Sequence, residues 1–173
     1  MRLRSGWGRL GARVAVVGAL LAGVGTVAPA PASAFVLYYQ LQARHSGLCA
    51  YVNGGGVTDS WTLLQGYCTP SSNHLFALSP TGEGYYRLVV ASTGKCLDVR
   101  DASTSDRAKV LQYSCHLGWN QQWQIVSTDS GYAVFIARHS GKCLDVQGDY
   151  THVYAYIWQY TCDYGDNQQF LLY

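Results

Sequence analysis

The stretch Gly94-Lys95-Cys96-Leu97-Asp98-Val99 returns as Gly141-Lys142-Cys143-Leu144-Asp145-Val146, 47 residues further along the chain. The same step links Gly47, Gly94 and Gly141, then Cys49, Cys96 and Cys143, then Cys68, Cys115 and Cys162. It also links Gln65, Gln112 and Gln159, then Asn73, Asn120 and Asn167, and finally the aromatics Phe76, Trp123 and Phe170. Six landmarks held in step without an insertion define a threefold repeat. The copies begin roughly at Phe35, Gly84 and Gly131, giving lobes of about 35–83, 84–130 and 131–173.

Each copy has the texture of short strands punctuated by Gly and Ser. In the middle copy Tyr86, Leu88 and Val90 alternate with Arg87, Val89 and Ala91, a period of two that suits a half-buried strand. The third copy does the same with Phe135 and Ala137 against Val134 and Ile136. A Thr-Gly or Ser-Gly turn leads to a second strand, Cys96 to Val99. A polar loop, Arg100 to Lys109, precedes a third strand, Val110 to Cys115, and a fourth covers Gln122 to Val126. About twelve strands are expected. Helical repeats lack the required 3.6-residue period, and a propeller needs about four blades or more. A closed threefold β-structure remains, because a single lobe cannot bury its own apolar face. Composition agrees: 14 tyrosines and 19 glycines stand beside one glutamate and three lysines, so strong helix formers are scarce.

Residues 1–34 read as a secretory signal peptide. Arg2, Arg4, Arg9 and Arg13 form a basic head, an apolar stretch runs from about Val14 to Val27, and Ala32-Ser33-Ala34 offers small residues before the cleavage point. That apolar stretch is shorter than the roughly 20 residues of a spanning helix, and no later run could hold the chain in a membrane. The whole chain carries +2, from 12 basic and 10 acidic residues. The leader takes four of the basic ones, so residues 35–173, 139 in number, carry 8 − 10 = −2. With 13% charged residues and no basic tract, no nucleic-acid partner is expected.

All six cysteines lie in the repeats, and an even count in a secreted chain predicts disulfides. Six cysteines allow 15 pairings. Threefold symmetry favours the most local set, Cys49–Cys68, Cys96–Cys115 and Cys143–Cys162. A metal site would need close C-x-x-C pairs, which are absent, and no acidic run has calcium-loop spacing, so no metal or cofactor is expected.

The C-L-D-V element, followed by Gln112-Tyr113-Ser114-Cys115 and Asn120-Gln121-Gln122-Trp123, resembles the ricin B-chain type lectin repeat. The same family includes carbohydrate-binding modules appended to bacterial xylanases. The third copy matches as Gln159-Tyr160-Thr161-Cys162 and Asn167-Gln168-Gln169-Phe170. The resemblance covers essentially all of 35–173 and implies an all-β fold, a β-trefoil with Phe76, Trp123 and Phe170 around its pseudo-threefold axis. It also implies a shallow sugar site in each lobe. There the C-L-D-V aspartate accepts two neighbouring hydroxyls, an aromatic two residues before the second cysteine stacks on the sugar, and the Asn, often with the Gln, completes the polar contacts. A carboxylate supplies bidentate, charge-assisted acceptors, and a ring supplies flat apolar area.

Carried over residue by residue, the middle lobe offers Asp98, Tyr113, Asn120 and Gln121, and the third offers Asp145, Tyr160, Asn167 and Gln168. In the first lobe Tyr51 replaces the aspartate, Gly66 the stacking ring and His74 the glutamine, leaving Asn73. Two sites and one degenerate lobe are expected. Gln112 and Gln159 lie one place off the position where many relatives put a sugar-contacting Gln, which Leu111 and Trp158 occupy here. Asn120 and Asn167 also suit a purely turn-forming role. His45 and His139 read as decorations of equivalent hairpin ends rather than as a catalytic or metal pair.

The resemblance implies a non-catalytic lectin for galactose- or xylose-type glycans or plant-type polysaccharide. Glycans or polysaccharides are then the partners, and the oligomeric state is open. A second reading is a protein-binding β-trefoil, a protease inhibitor or surface-interaction factor, using the exposed loop Gly148 to Ala155 with Tyr150, Tyr154 and nearby Tyr156. An enzyme is not expected: glycoside hydrolysis needs two carboxylates in one cleft. The only glutamate, Glu83, lies in a Gly-Glu-Gly linker, and no nucleophile elbow or HExxH motif is present.

Overall fold

In the computed structural model, residues 36–54 and 56–173 are described, and the predicted leader lies outside them. Strand positions repeat with the sequence. Lobe 1 holds β1 (Tyr38–Tyr39), β2 (Leu41–Ala43), β3 (Cys49–Val52), β4 (Leu63–Gly66) and β5 (Phe76–Gly82). Lobe 2 holds β6 (Tyr85–Val90), β7 (Cys96–Val99), β8 (Val110–Tyr113) and β9 (Trp123–Ser127). Lobe 3 holds β10 (Tyr132–Ala137), β11 (Cys143–Val146), β12 (Ile157–Tyr160) and β13 (Phe170–Leu172). The count of thirteen, one above expectation, arises because the first strand of lobe 1 breaks at Gln40. There the chain changes partner: Tyr39 pairs with Phe76 of β5, while Leu41 pairs with Leu172 of β13.

β1 with β2, β5, β6, β9, β10 and β13 close an antiparallel ring, which leaves this part of the sheet no free edge. The hairpins β3–β4, β7–β8 and β11–β12 branch from it. Single bridges join the hairpins to one another, Thr62 to Leu111, Lys109 to Trp158 and Tyr156 to Leu64. Each bridge is the previous one advanced by one repeat. The architecture is the expected β-trefoil.

The core is also assembled in threes. Leu41, Leu88 and Phe135 are equivalent, as are Ala50, Leu97 and Leu144, Val52, Val99 and Val146, and Leu63, Val110 and Ile157. Phe76, Trp123 and Phe170 are fully buried in the same cluster, and the indole of Trp123 donates to the Leu97 carbonyl at 3.4 Å. The alternating pattern of β6 survives as Leu88 and Val90 inward. β10 departs from it, because Val134 is buried as well as Phe135.

Two local devices set the spacing. Gly47, Gly94 and Gly141 adopt φ of 67°, 68° and 68°, and their amides donate to Ala43, Val90 and Ala137. That left-handed turn is strained for any residue with a Cβ, so glycine recurs there. The three local disulfides form as expected, with Cα separations of 4.9, 5.1 and 5.0 Å. Each closes a 19-residue loop, and loops of that size contribute about 3 kcal/mol through the unfolded chain.

The lobes are fastened by the buried glutamines. Gln112 Nε2 donates to the Gly56 and Thr58 carbonyls of lobe 1, both at 2.7 Å. Gln159 does the same to Ser103 and Ser105 of lobe 2, and Gln65 to Tyr150 and His152 of lobe 3. Each glutamine oxygen accepts a hydroxyl of its own lobe, from Thr93, Ser140 or Ser46. These side chains therefore hold neighbouring loops, which accounts for their recurrence at every 47th position.

Candidate functional site

Hairpin β7–β8 sets Asp98 directly across from Leu111 and ends on Tyr113. The single 3₁₀ turn Trp119–Gln121 brings Asn120 and Gln121 beneath the hairpin. Asp98 is buried, and its Oδ2 accepts Asn120 Nδ2 at 2.9 Å and Gln121 Nε2 at 2.8 Å. His116 Nε2 stands 3.3 Å from the same oxygen. Burial pushes the Asp98 carboxyl above its ordinary range, while Gln121, His116 and Asn120 pull it back. Above the carboxylate opens a cavity of about 370 Å³, walled by Tyr113, His116, Arg100 and Ser60. Tyr113 is 41% exposed, and the His116 ring meets it edge-on.

Lobe 3 repeats this frame with a different wall. Asp145 Oδ2 accepts Asn167 Nδ2 and Gln168 Nε2, each at 2.9 Å. Here Trp158 lies across the hairpin, and its indole Nε1 donates to Asp145 Oδ1 at 2.6 Å. Burial raises this carboxyl to about 6, against the pull of Gln168 and Trp158 and with help from the charges of Asp163 and Asp149. The cavity is larger, about 840 Å³, and is walled by Tyr150, Trp158, Tyr160, Asp149, Asp163 and Arg107.

Lobe 1 has lost the arrangement. The ring of Tyr51 stacks on His74, with centroids 4.9 Å apart and planes 14° apart. It also covers Gly66: a Cβ there would stand 2.9 Å from Tyr51 Cε1. Asn73 still donates to the Val52 carbonyl at 3.0 Å, as Asn120 and Asn167 donate to Val99 and Val146. The asparagine thus has a turn-holding role even where no aspartate is present.

Residues 37–171 match the model of the ricin-type β-trefoil lectin domain. The chain belongs to the ricin-type β-trefoil lectin family. It is similar to a designed threefold-symmetric protein, ThreeFoil, at 45% identity and TM-score 0.77, covering 78% of this chain and 96% of that one. It is similar to an exo-β-1,3-galactanase from Clostridium thermocellum at 30% identity and TM-score 0.77, over 81% of this chain but only 30% of the galactanase. The hemolytic lectin CEL-III matches at 28% identity and TM-score 0.66, over 79% of this chain and 30% of that one. No match was found among curated protein sequences.

On this ricin-type trefoil frame, the sequence-derived residues gather as two sets, Asp98, Tyr113, Asn120 and Gln121, and Asp145, Tyr160, Asn167 and Gln168. Within each set the roles separate. Asp98, Tyr113 and Asn120 line the lobe 2 cavity, and Asp145, Tyr160 and Asn167 line that of lobe 3. Gln121 and Gln168 are fully buried. Gln121 spends both amide hydrogens on Asp98 and Ser114, and its oxygen accepts the His116 amide. Gln168 is held the same way, with its oxygen accepting the Asp163 amide. Both face the carboxylate from below.

Among the wall residues, Trp158 stands where many relatives put a sugar-contacting Gln, whereas Asp149, Asp163, His116 and Arg107 carry no signal in the sequence. Each differs from its counterpart in the neighbouring lobe, so a search for repeats passes over them. In the loop Gly148 to Ala155, Tyr150 and Tyr154 are 45% and 70% exposed, and Tyr150 also lines the lobe 3 cavity. His45 and His139 do more than decorate turns. Their Nε2 atoms bond the carbonyls of Tyr150 and Ser103 at 3.0 and 2.9 Å, adding to the interlobe fastening. Glu83 pairs with Arg138, outside both cavities.

Proposed function

We propose that this chain is a secreted, non-catalytic carbohydrate-binding protein with two glycan sites, formed around Asp98 in lobe 2 and Asp145 in lobe 3. The observation that carries the reading is a buried carboxylate held from below by an Asn-Gln pair, with a tyrosine wall beside it and an open cavity above. It occurs twice, at equivalent positions. The carboxylate offers fixed acceptors to sugar hydroxyls, and Tyr113 or Tyr160 offers a face for the sugar's C–H surface. Lobe 1, with Tyr51 laid over Gly66, takes no part.

Galactose- or xylose-type glycans and plant-type polysaccharides are the favoured partners, and the likeness to a galactanase makes galactan the first probe. The non-catalytic reading is supported by the state of Asp145. Its oxygens accept three N–H bonds, which fix it as an oriented acceptor, and the family to which the chain belongs is a lectin family. Secretion is supported by the three disulfides and by the leader-like residues 1–34. One shallow site is worth about −4 kcal/mol, a millimolar Kd. Two on a rigid frame raise affinity for a multivalent polysaccharide by about 10²-fold or more.

The test is titration of galactan, xylan and simple galactosides against the protein and an Asp98→Ala/Asp145→Ala variant. Binding by the unaltered protein and its loss in the variant are expected. Equal binding by both overturns the site assignment. Retention of proteins without any glycan on affinity capture favours the protein-binding trefoil.

A further inference from the structure

The two cavities share a floor but differ in how many acceptor positions the carboxylate leaves open. A carboxylate has about four lone-pair positions, two on each oxygen. In both lobes Oδ2 accepts the Asn-Gln pair, and in lobe 2 His116 Nε2 also stands 3.3 Å from that oxygen. In lobe 3, Trp158 Nε1 takes one position on Oδ1 of Asp145. In lobe 2 the cross-strand counterpart is Leu111, which has no side-chain donor, and among the described residues the side-chain contacts of Asp98, from Asn120, Gln121 and His116, all go to Oδ2. Lobe 2 thus keeps two open positions on Oδ1, and lobe 3 keeps one.

The walls differ in the same sense. The lobe 3 cavity has more than twice the volume and three aromatic walls, Tyr150, Trp158 and Tyr160. Lobe 2 offers Tyr113 with His116 at its edge. A smaller cavity with two open acceptors suits a terminal sugar presenting two free neighbouring hydroxyls. A larger, more aromatic one with a single open acceptor suits a unit whose second hydroxyl is substituted or engaged in a linkage.

We propose that the residue across the hairpin from the aspartate, Leu111 or Trp158, sets the hydroxyl demand of each site. On this assignment lobe 2 selects an unsubstituted terminal sugar, and lobe 3 accepts an internal or substituted unit of the chain. The inference rests on reading the two cavities as glycan sites.

Single-site proteins separate the two. Asp145→Ala leaves lobe 2 and Asp98→Ala leaves lobe 3. Each is titrated with methyl β-galactoside, methyl β-xyloside and their mono-deoxy and mono-O-methyl derivatives at each ring hydroxyl. For lobe 2, blocking either of two adjacent hydroxyls weakens binding about tenfold or more; for lobe 3 only one position is sensitive. Trp158→Phe keeps the ring and removes the donor, and it gives lobe 3 a second sensitive hydroxyl. Leu111→Trp relieves lobe 2 of one; Trp158→Phe carries the test alone if that variant does not fold. An identical hydroxyl demand in the two sites, or no change in lobe 3 on Trp158→Phe, overturns the proposal while leaving the glycan reading intact. If the unaltered protein binds none of these glycosides, nor galactan or xylan, the glycan reading falls and this inference with it.

Discussion

Gln159, in lobe 3, donates through Nε2 to the carbonyl of Ser103 in lobe 2 at 2.7 Å, across 56 residues of chain. That bond, with its partner at Ser105, holds the loop following Asp98 from a neighbouring lobe. Each carboxylate cavity is therefore braced by a glutamine that belongs to another repeat. A change at the glutamine should be felt one lobe away.

Gln159→Leu is expected to destabilise the fold by about 1–3 kcal/mol, since it strips the hydrogen bonds of a fully buried side chain from the part-buried carbonyls of Ser103 and Ser105. It should weaken binding at lobe 2 more than at lobe 3. Thermal melting and titration of the single-site proteins measure the two effects. Equal weakening of both sites would show that the brace is not specific to its loop.

Replacing either aspartate removes one site. Asp98→Ala or Asp145→Ala should halve the stoichiometry for a small glycoside and reduce affinity for a polysaccharide by about 10²-fold, because the second attachment is lost. Calorimetry with a monovalent and a multivalent ligand reads both quantities. Unchanged stoichiometry in each variant rules out this pair of sites.

Lobe 1 predicts a coupled pair. Gly66→Tyr, which restores the stacking residue of the other lobes, drives a side chain into the Tyr51 ring. It should cost about 1–3 kcal/mol as overpacking. Tyr51→Asp in the same chain removes the ring and recovers most of that loss. A double-mutant cycle checks the coupling, and strictly additive effects would refute it.

Protonation of Asp145 links stability and binding in opposite directions. Burial raises its carboxyl from 3.8 to about 6, so folding favours the neutral form. Its contribution to stability is complete below the ordinary carboxyl value and is lost as pH rises through about 6. The melting temperature should fall over that interval, with a smaller slope in Asp145→Asn. Glycan binding at lobe 3, which uses the ionised acceptor, should instead rise with a midpoint near pH 6. A pH series of melts and titrations on the Asp98→Ala protein tests both signs, and flat profiles would count against this account.

Much of the molecule was legible in the chain alone. The 47-residue step located the lobes, the strands, the threefold core and the local disulfides, because each is built from residues that recur at the same place in every repeat. Asp98, Tyr113, Asp145 and Tyr160 were legible through the family resemblance, and each lines a cavity in the structure. The break at Gln40 was not, since it reflects a change of strand partner that only closure of the ring imposes.

What the tertiary structure alone decided lies between the repeats or in their differences. Closure of the ring brings Gln159 to Ser103 and His45 to Tyr150, contacts that span 56 and 105 residues; the glutamine recurs in the sequence, but its partners in the neighbouring lobe do not. Cross-strand register places Trp158 on Asp145 but Leu111 opposite Asp98, so two matching motifs carry different numbers of open acceptors. Symmetry in the sequence determined that the protein would be three similar lobes. Packing of the unlike side chains determined that one lobe is closed and that the other two differ.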